Sequence, residues 1–173
     1  MVKIGLLSDT HGSLHPRVFD FFKDCDEIWH AGDVGSLQVI RQLENFKKLR
    51  GVYGNIDGND IRTELPEFQV FNIEYVKVLI THIAGYPGKF NKTVLSEIKK
   101  HAPDIVVAGH SHILKVMYDN RNKLLFINPG AAGNHGFHHK ITWLRFQIDG
   151  KEFKEMEIME IDRPSLSDAV NRT

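Results

Sequence analysis

Seven side chains able to hold a divalent cation stand at one kind of place in this sequence, the end of an apolar run. Asp9 and His11 follow "KIGLL", Asp33 follows "EIWHAG", and Asn55 follows "LRGVYG" with Asp57 two residues further on. His82 follows "VKVLIT", and His110 and His112 follow "DIVVAG". A glycine directly precedes Asp33, Asn55 and His110, which permits tight turns and close backbone approach. Residues two apart on an extended chain point to the same side, so Asp9 with His11, and His110 with His112, are each expected to aim two groups at one place. Carboxylates, imidazoles and one amide oxygen form a nitrogen and oxygen donor set without thiolate. Such a set suits manganese, iron, nickel, cobalt or zinc better than calcium or magnesium, with manganese the leading expectation. Seven donors exceed the needs of one ion, and a bridging donor would let them serve two ions about 3.5–4 Å apart, the arrangement used for phosphoryl displacement.

These donors converge only if the runs that carry them are neighbouring strands. The first two-thirds of the chain alternate β-rich runs with helical patterns: "KIGLLSD" precedes "SLHPRVFDFFKDC", and "EIWHAGD" precedes "SLQVIRQLENF", with Ser36 as an N-cap. This order predicts parallel strands with crossover helices, whose carboxyl ends form the crevice where ligands bind. The later part reads as hairpins. "EFQVFNIEYVKVLITH", "KVMYDNRNKLLFIN" and "ITWLRFQIDGKEFKEMEIMEI" each contain two strand runs, and Asp149-Gly150 supplies the turn signal in the last. A helix is expected near residues 93–101. The predicted class is α/β, with two mixed β-sheets packed as a sandwich, helices flanking them and the metal site at the carboxyl ends of the strands. Residues 1–162 are expected to form one domain and 163–173 a polar tail.

Composition removes several alternatives. The 173 residues are 42% hydrophobic and 25% charged, with 22 Lys+Arg against 22 Asp+Glu. That balance argues against disorder and against a protein that coats nucleic acid or an anionic membrane. The lysine-rich stretch at 89–103 reads as the solvated face of a helix. One cysteine, Cys25, excludes an intramolecular disulfide, and its helical spacing with Leu14, Val18, Phe21 and Phe22 marks it as a core thiol. No run approaches the ~18 apolar residues of a membrane span, and a cytoplasmic protein is the expectation. Trp29 and Trp143 read as core or sheet residues.

The ordered motifs resemble those of the calcineurin-like metallophosphoesterase superfamily: "DTH" at Asp9 to His11, "GD" at Gly32-Asp33, "GNID" at Gly54 to Asp57, "TH" at Thr81-His82 and "GHSH" at Gly109 to His112. "INPG" near Asn128 is similar to the closing motif of the small branch, and the short length resembles its compact single-domain phosphodiesterases from bacteria and archaea. The resemblance implies that Asp9, His11 and His112 hold one metal ion, that Asn55, His82 and His110 hold a second, and that Asp33 bridges them. It also implies that a hydroxide between the ions attacks a small, nucleotide-like phosphoester in line, with Asn55 also orienting a phosphate oxygen.

Two departures from the family pattern matter. The histidine that usually follows Gly-Asn and protonates the leaving group is Ile56 here, which leaves Asp57 as a candidate acid or supporting group. His82 is followed by Ile83 and Ala84 where many small-branch relatives read His-Gly-His. His30 is expected beside the site, orienting a ligand, while His135, His138 and His139 either reach a substrate phosphate, His138 foremost, or lie in a solvated loop. The alternative function is a non-catalytic protein-binding scaffold like the retromer subunit of this fold. A nuclease would use the same chemistry, but neutral charge and the lack of a DNA-binding module count against it. An exposed hairpin edge could support a homodimer.

Overall fold

Apolar residues at both odd and even positions of the central runs give those strands two buried faces, so they need cover on each side. The computed structural model describes residues 1–163, and most of the expected polar tail, from residue 164 on, lies outside them. The elements are β1 (Val2–Leu7), α1 (Arg17–Phe22), β2 (Glu27–His30), α2 (Leu37–Phe46), β3 (Lys48–Gly51), α3 (Asn59–Glu64), β4 (Phe68–Ile73), β5 (Val76–Thr81), α4 (Lys92–His101), β6 (Ile105–Val107), β7 (Leu114–Asp119), β8 (Leu124–Pro129), β9 (Lys140–Asp149) and β10 (Glu152–Asp162).

They build two five-stranded sheets, in the orders β10-β9-β1-β2-β3 and β4-β5-β6-β8-β7. Both are mixed. β1, β2 and β3 are parallel, as are β5, β6 and β8, and antiparallel strands complete each sheet. Ile4 and Leu6 of β1 share the central cluster with Val78 and Ile80 of β5 and with Ile105 and Val107 of β6. Leu7 and Ile28 belong instead to the cluster of α1 and α2, with Val18, Phe22, Val39 and Leu43. Leu79 and Val106 pack with Val94 and Ile98 of α4. The strand period of two thus sends alternate residues into different apolar layers. Trp29, Trp143 and Cys25 are buried in them, as expected.

Local signals account for most element ends. Ser36 Oγ accepts from the Val39 N–H, and Asn91 Oδ1 accepts from the Val94 N–H, satisfying donors that the first helical turn leaves unpaired. The β9–β10 turn falls one residue later than the Asp149-Gly150 signal implied. Asp149 pairs with Glu152, so the turn residues are Gly150 and Lys151, with Gly150 at φ 63°. Helix α3 has no counterpart in the sequence reading, because six residues with one buried side chain, Ile61, carry too little periodicity. Among the described residues no helix is long and apolar enough to cross a membrane.

Candidate metal centre

All seven candidate donors lie just beyond the carboxyl ends of parallel strands. Asp9 and His11 follow β1, Asp33 follows β2, Asn55 follows β3, His82 follows β5, and His110 and His112 follow β6. Backbone hydrogen bonds stitch these loops together where the ladders stop. The N–H groups of Asp9 and His11 donate to the carbonyls of Gly32 and Asp33, at 2.9 and 3.0 Å, and Gly109 N–H donates to His82 O across the second sheet, at 3.0 Å. The donors are therefore fixed by backbone before any side chain acts.

The conformation of these loops differs from the extended chain expected from the i, i+2 spacing. Asp9, His11, Asp33, His110 and His112 have φ between 47° and 67°, the left-handed region. Side chains of L residues adopt it at a cost on the order of 1 kcal/mol or more each, and such strain clusters at functional sites. Asp9 and His11 enter one group, but His110 and His112 diverge into two.

One group is Asp9, His11 and His112; the other is Asp33, His82 and His110, each with its donor atoms within 4.8 Å of one another. In the first, His112 Nε2 lies 3.2 Å from Asp9 Oδ1 and 3.4 Å from His11 Nε2. In the second, His82 Nε2 lies 3.2 Å from Asp33 Oδ1 and 3.1 Å from Asn55 Oδ1. The groups adjoin, with His82 Nε2 3.9 Å from Asp9 Oδ1. Two ligands about 2.1 Å from a shared ion, at angles between square and tetrahedral, are about 3.0–3.4 Å apart. These separations fit that geometry. Charge fits it too. Asp9 is 0% and Asp33 3% exposed, and among the described residues neither carboxylate pairs with a lysine or arginine. Buried carboxylates without such partners call for a cation.

Hydrogen bonds around the donors set their state. His82 Nδ1 lies 2.7 Å from the Ala31 carbonyl, which can only accept, so Nδ1 carries the proton and Nε2 faces the donors. Burial is the largest influence on both His82 and Asp33 and opposes their charge. For the doubly protonated ring, the hydrogen bond to Asp33, the attraction of Asp9 and Asp33 and the backbone hydrogen bonds together outweigh it, raising the His82 pKa and lowering that of Asp33. Burial lowers the pKa of His11. Among the described residues no hydrogen bond joins the His30 ring to a candidate ligand's side chain. Its Nδ1 accepts from Gly32 N–H at 3.2 Å, and its Nε2 lies 2.9 Å from Thr10 Oγ1, which donates to the Val34 carbonyl. It orients backbone beside Asp9 and Asp33, and burial pushes its pKa down to about 4.

The Asp57 carboxylate accepts from the backbone N–H groups of Val34, Gly35 and Gly54, at 3.1, 2.8 and 2.7 Å. It is buried and ties the Asp33 loop to the Asn55 loop, a role for its charge that needs no contact to a leaving group. Gly54 must be glycine, since an added Cβ would come within 2.0 Å of Asp33 Oδ1 and 2.3 Å of the Asp33 backbone nitrogen. Asn128, of the "INPG" motif, donates to the Gly109 carbonyl at 2.7 Å and so braces the His110 loop. Neither this role nor the use of the Ala31 carbonyl has a side-chain signature that spacing alone discloses.

Both nitrogens of His138 are engaged. Nδ1 lies 3.1 Å from His112 Nδ1, and Nε2 lies 3.0 Å from the Gly133 carbonyl, so in this arrangement His138 faces His112 rather than the open pocket. Burial lowers its pKa. His135 lies against the ring of His11, centroids 5.1 Å apart. Ile56, 48% exposed, stands beside the exposed Asn55. Two cavities flank the centre. One of about 460 Å³ is lined by Tyr53, Asn55, Arg62, Phe68 and His82, the other of about 360 Å³ by Tyr86, His110, Ile113 and Lys115, and Ile83 borders both.

The chain is similar to known proteins in sequence and in fold. Residues 2–151 match the model of the calcineurin-like phosphoesterase superfamily domain. The chain is 30% identical over 135 residues to a probable metallophosphoesterase of Methanothermobacter thermautotrophicus, covering 74% of this chain and 76% of that protein. A solved archaeal phosphodiesterase superposes with a TM-score of 0.69 at 28% identity, over 91% of this chain and 99% of the other. Vps29 of Entamoeba histolytica, solved with zinc, superposes with a TM-score of 0.69 at 18% identity, over 94% of this chain and 99% of its own; this likeness is one of fold.

Proposed function

The chain belongs to the calcineurin-like phosphoesterase superfamily, and we propose that it is a phosphodiesterase that hydrolyses small phosphoesters at a centre of two divalent transition-metal ions. The observation that carries this reading is the pair of adjoining donor groups around two buried carboxylates. Asp9, His11 and His112 would hold one ion, Asn55, His82 and His110 the other, and Asp33 would bridge. Ions bound there supply Lewis-acid polarisation of phosphoryl oxygens and an activated water at neutral pH.

The side chains of this protein do the rest. The Ala31 carbonyl keeps His82 in the tautomer that presents Nε2. Asn55, exposed at the mouth of the centre, offers its amide to a phosphate oxygen as well as its carbonyl to an ion. Ile56 can donate no proton, and Asp57 is held by three backbone N–H groups, so the leaving group must depart without a side-chain acid from this loop. Esters of acidic alcohols and phenols are therefore the better substrates. Manganese is the metal we propose for this set of imidazoles, carboxylates and one amide, which accepts several divalent ions. Residues 1–162 would act as one domain, in the cytoplasm.

Hydrolysis of bis(p-nitrophenyl) phosphate by metal-stripped protein reloaded with manganese tests the proposal, because that leaving group needs no acid. Turnover that depends on manganese and disappears in Asp33→Asn supports it. Absence of turnover with manganese, nickel, iron and zinc, in protein that remains folded, would favour the binding-scaffold reading.

A further inference from the structure

His112 contacts a loop, residues 134–139, that supplies none of the seven donors. The hydrogen bonds there allow one arrangement of protons between neutral rings. A carbonyl only accepts, so His138 Nε2, 3.0 Å from Gly133 O, must carry the His138 proton. His138 Nδ1 is then a lone pair and accepts from His112 Nδ1, 3.1 Å away. His112 thereby has its proton on Nδ1, and its Nε2 lone pair points at the place shared with Asp9 Oδ1 and His11 Nε2. His82 reaches the same state directly, through the Ala31 carbonyl.

The loop is built closely around this pair. A Cβ on Gly136, at φ 121°, would lie 2.5 Å from His112 Nδ1 and 3.1 Å from His138 Nδ1. Arg163, just past β10, donates from its guanidinium to the carbonyls of Gly136 and His138, and its backbone N–H donates to His139 O. A strand on the far edge of the sheet thus fastens the loop that carries His138.

We propose that His138 is a positioning residue, which fixes His112 as an Nε2 donor to the first ion through a chain running from the Gly133 carbonyl to His138 to His112. This rests on the assignment of His112 to a metal site. It gives the two half-sites different supports: a main-chain carbonyl for His82, and a side chain on a fastened loop for His112. Outer partners of this kind commonly contribute 10- to 100-fold to metal affinity.

The test titrates manganese into metal-stripped full-length protein against a competing chelator, for wild type, His138→Leu and His138→Asn. Leucine fills the space but accepts nothing, whereas the Asn oxygen can take the place of Nδ1. We expect wild type to bind two ions. His138→Leu should weaken one of them roughly 10- to 100-fold and leave the other within about threefold, while His138→Asn recovers most of the loss. Thermal unfolding of the metal-free forms checks that all three fold alike. Two affinities unchanged in His138→Leu would overturn the assignment, as would His138→Asn being as weak as His138→Leu. Wild type that takes up no manganese would instead overturn the metal centre itself, and this assignment with it.

Discussion

The two donor groups differ in what holds them. Asp33 and His82 are almost wholly buried, and His82 is fixed by a main-chain carbonyl at 2.7 Å, between loops already stitched to the sheets. His11 and His112 are half-buried, and rings from the 134–139 loop lie against both. One half-site inherits its order from the sheets; the other depends on a loop fastened by Arg163. Preorganisation in a metal centre can therefore come from different layers of the structure, and each layer can be disturbed separately.

Asp33→Asn should have the largest effect, because it removes the carboxylate proposed to bridge the two ions. Hydrolysis is expected to fall on the order of a thousandfold with the thermal midpoint of the metal-free protein little changed. Equal turnover in steady-state assays would remove Asp33 from the bridge. Gly54→Ala comes next and acts through the same carboxylate. Its Cβ would collide with Asp33 Oδ1 and the Asp33 backbone, a strain of about 1–3 kcal/mol, so calorimetric titration should find both ions about ten- to a hundredfold weaker. Were only one ion weakened, Asp33 would belong to one half and not bridge.

His30 offers a pH test of the framework beneath both halves. Its pKa is about 4 in the folded protein against an ordinary 6.5, so the folded state prefers it neutral. The stability it contributes is present above pH 6.5 and is lost as pH falls through 4. Denaturation of metal-free wild type should lose about 3 kcal/mol more than His30→Gln between pH 7 and pH 4. Parallel curves would contradict its neutral burial. The smallest effect lies far from the centre. Burial pushes the Cys25 thiol up to about 11, so iodoacetamide should modify it slowly at neutral pH until the protein is unfolded, and hydrolysis should be unaffected; rapid native labelling would show that the α1 layer opens.

Much of this was legible in the sequence for a physical reason. Parallel strands buried on both faces read as unbroken apolar runs, and the polar residue that ends each run marks the carboxyl edge of the sheet. Hence the convergence of Asp9, Asp33, His82 and His110 follows from "KIGLLSD", "EIWHAGD", "VKVLITH" and "DIVVAGH" together with strand order. Local conformation was less accessible. The i, i+2 rule presumes extended backbone, whereas both pairs are left-handed, and Asp9 with His11 share a group while His110 and His112 enter different ones. Contacts with main chain were hidden as well. Asp57 spends its carboxylate on three N–H groups, and His138 reaches His112 across 26 residues. Neither arrangement imposes a periodicity that a single sequence displays.

The central claim is that one compact centre holds two ions. Electron paramagnetic resonance of the stripped protein reloaded with manganese tests it most directly, with metal content measured on the same sample. The account predicts two ions per chain and the spectrum of an exchange-coupled pair, converted towards that of isolated ions in Asp33→Asn. A single ion per chain, or two ions with uncoupled spectra in wild type, would contradict it.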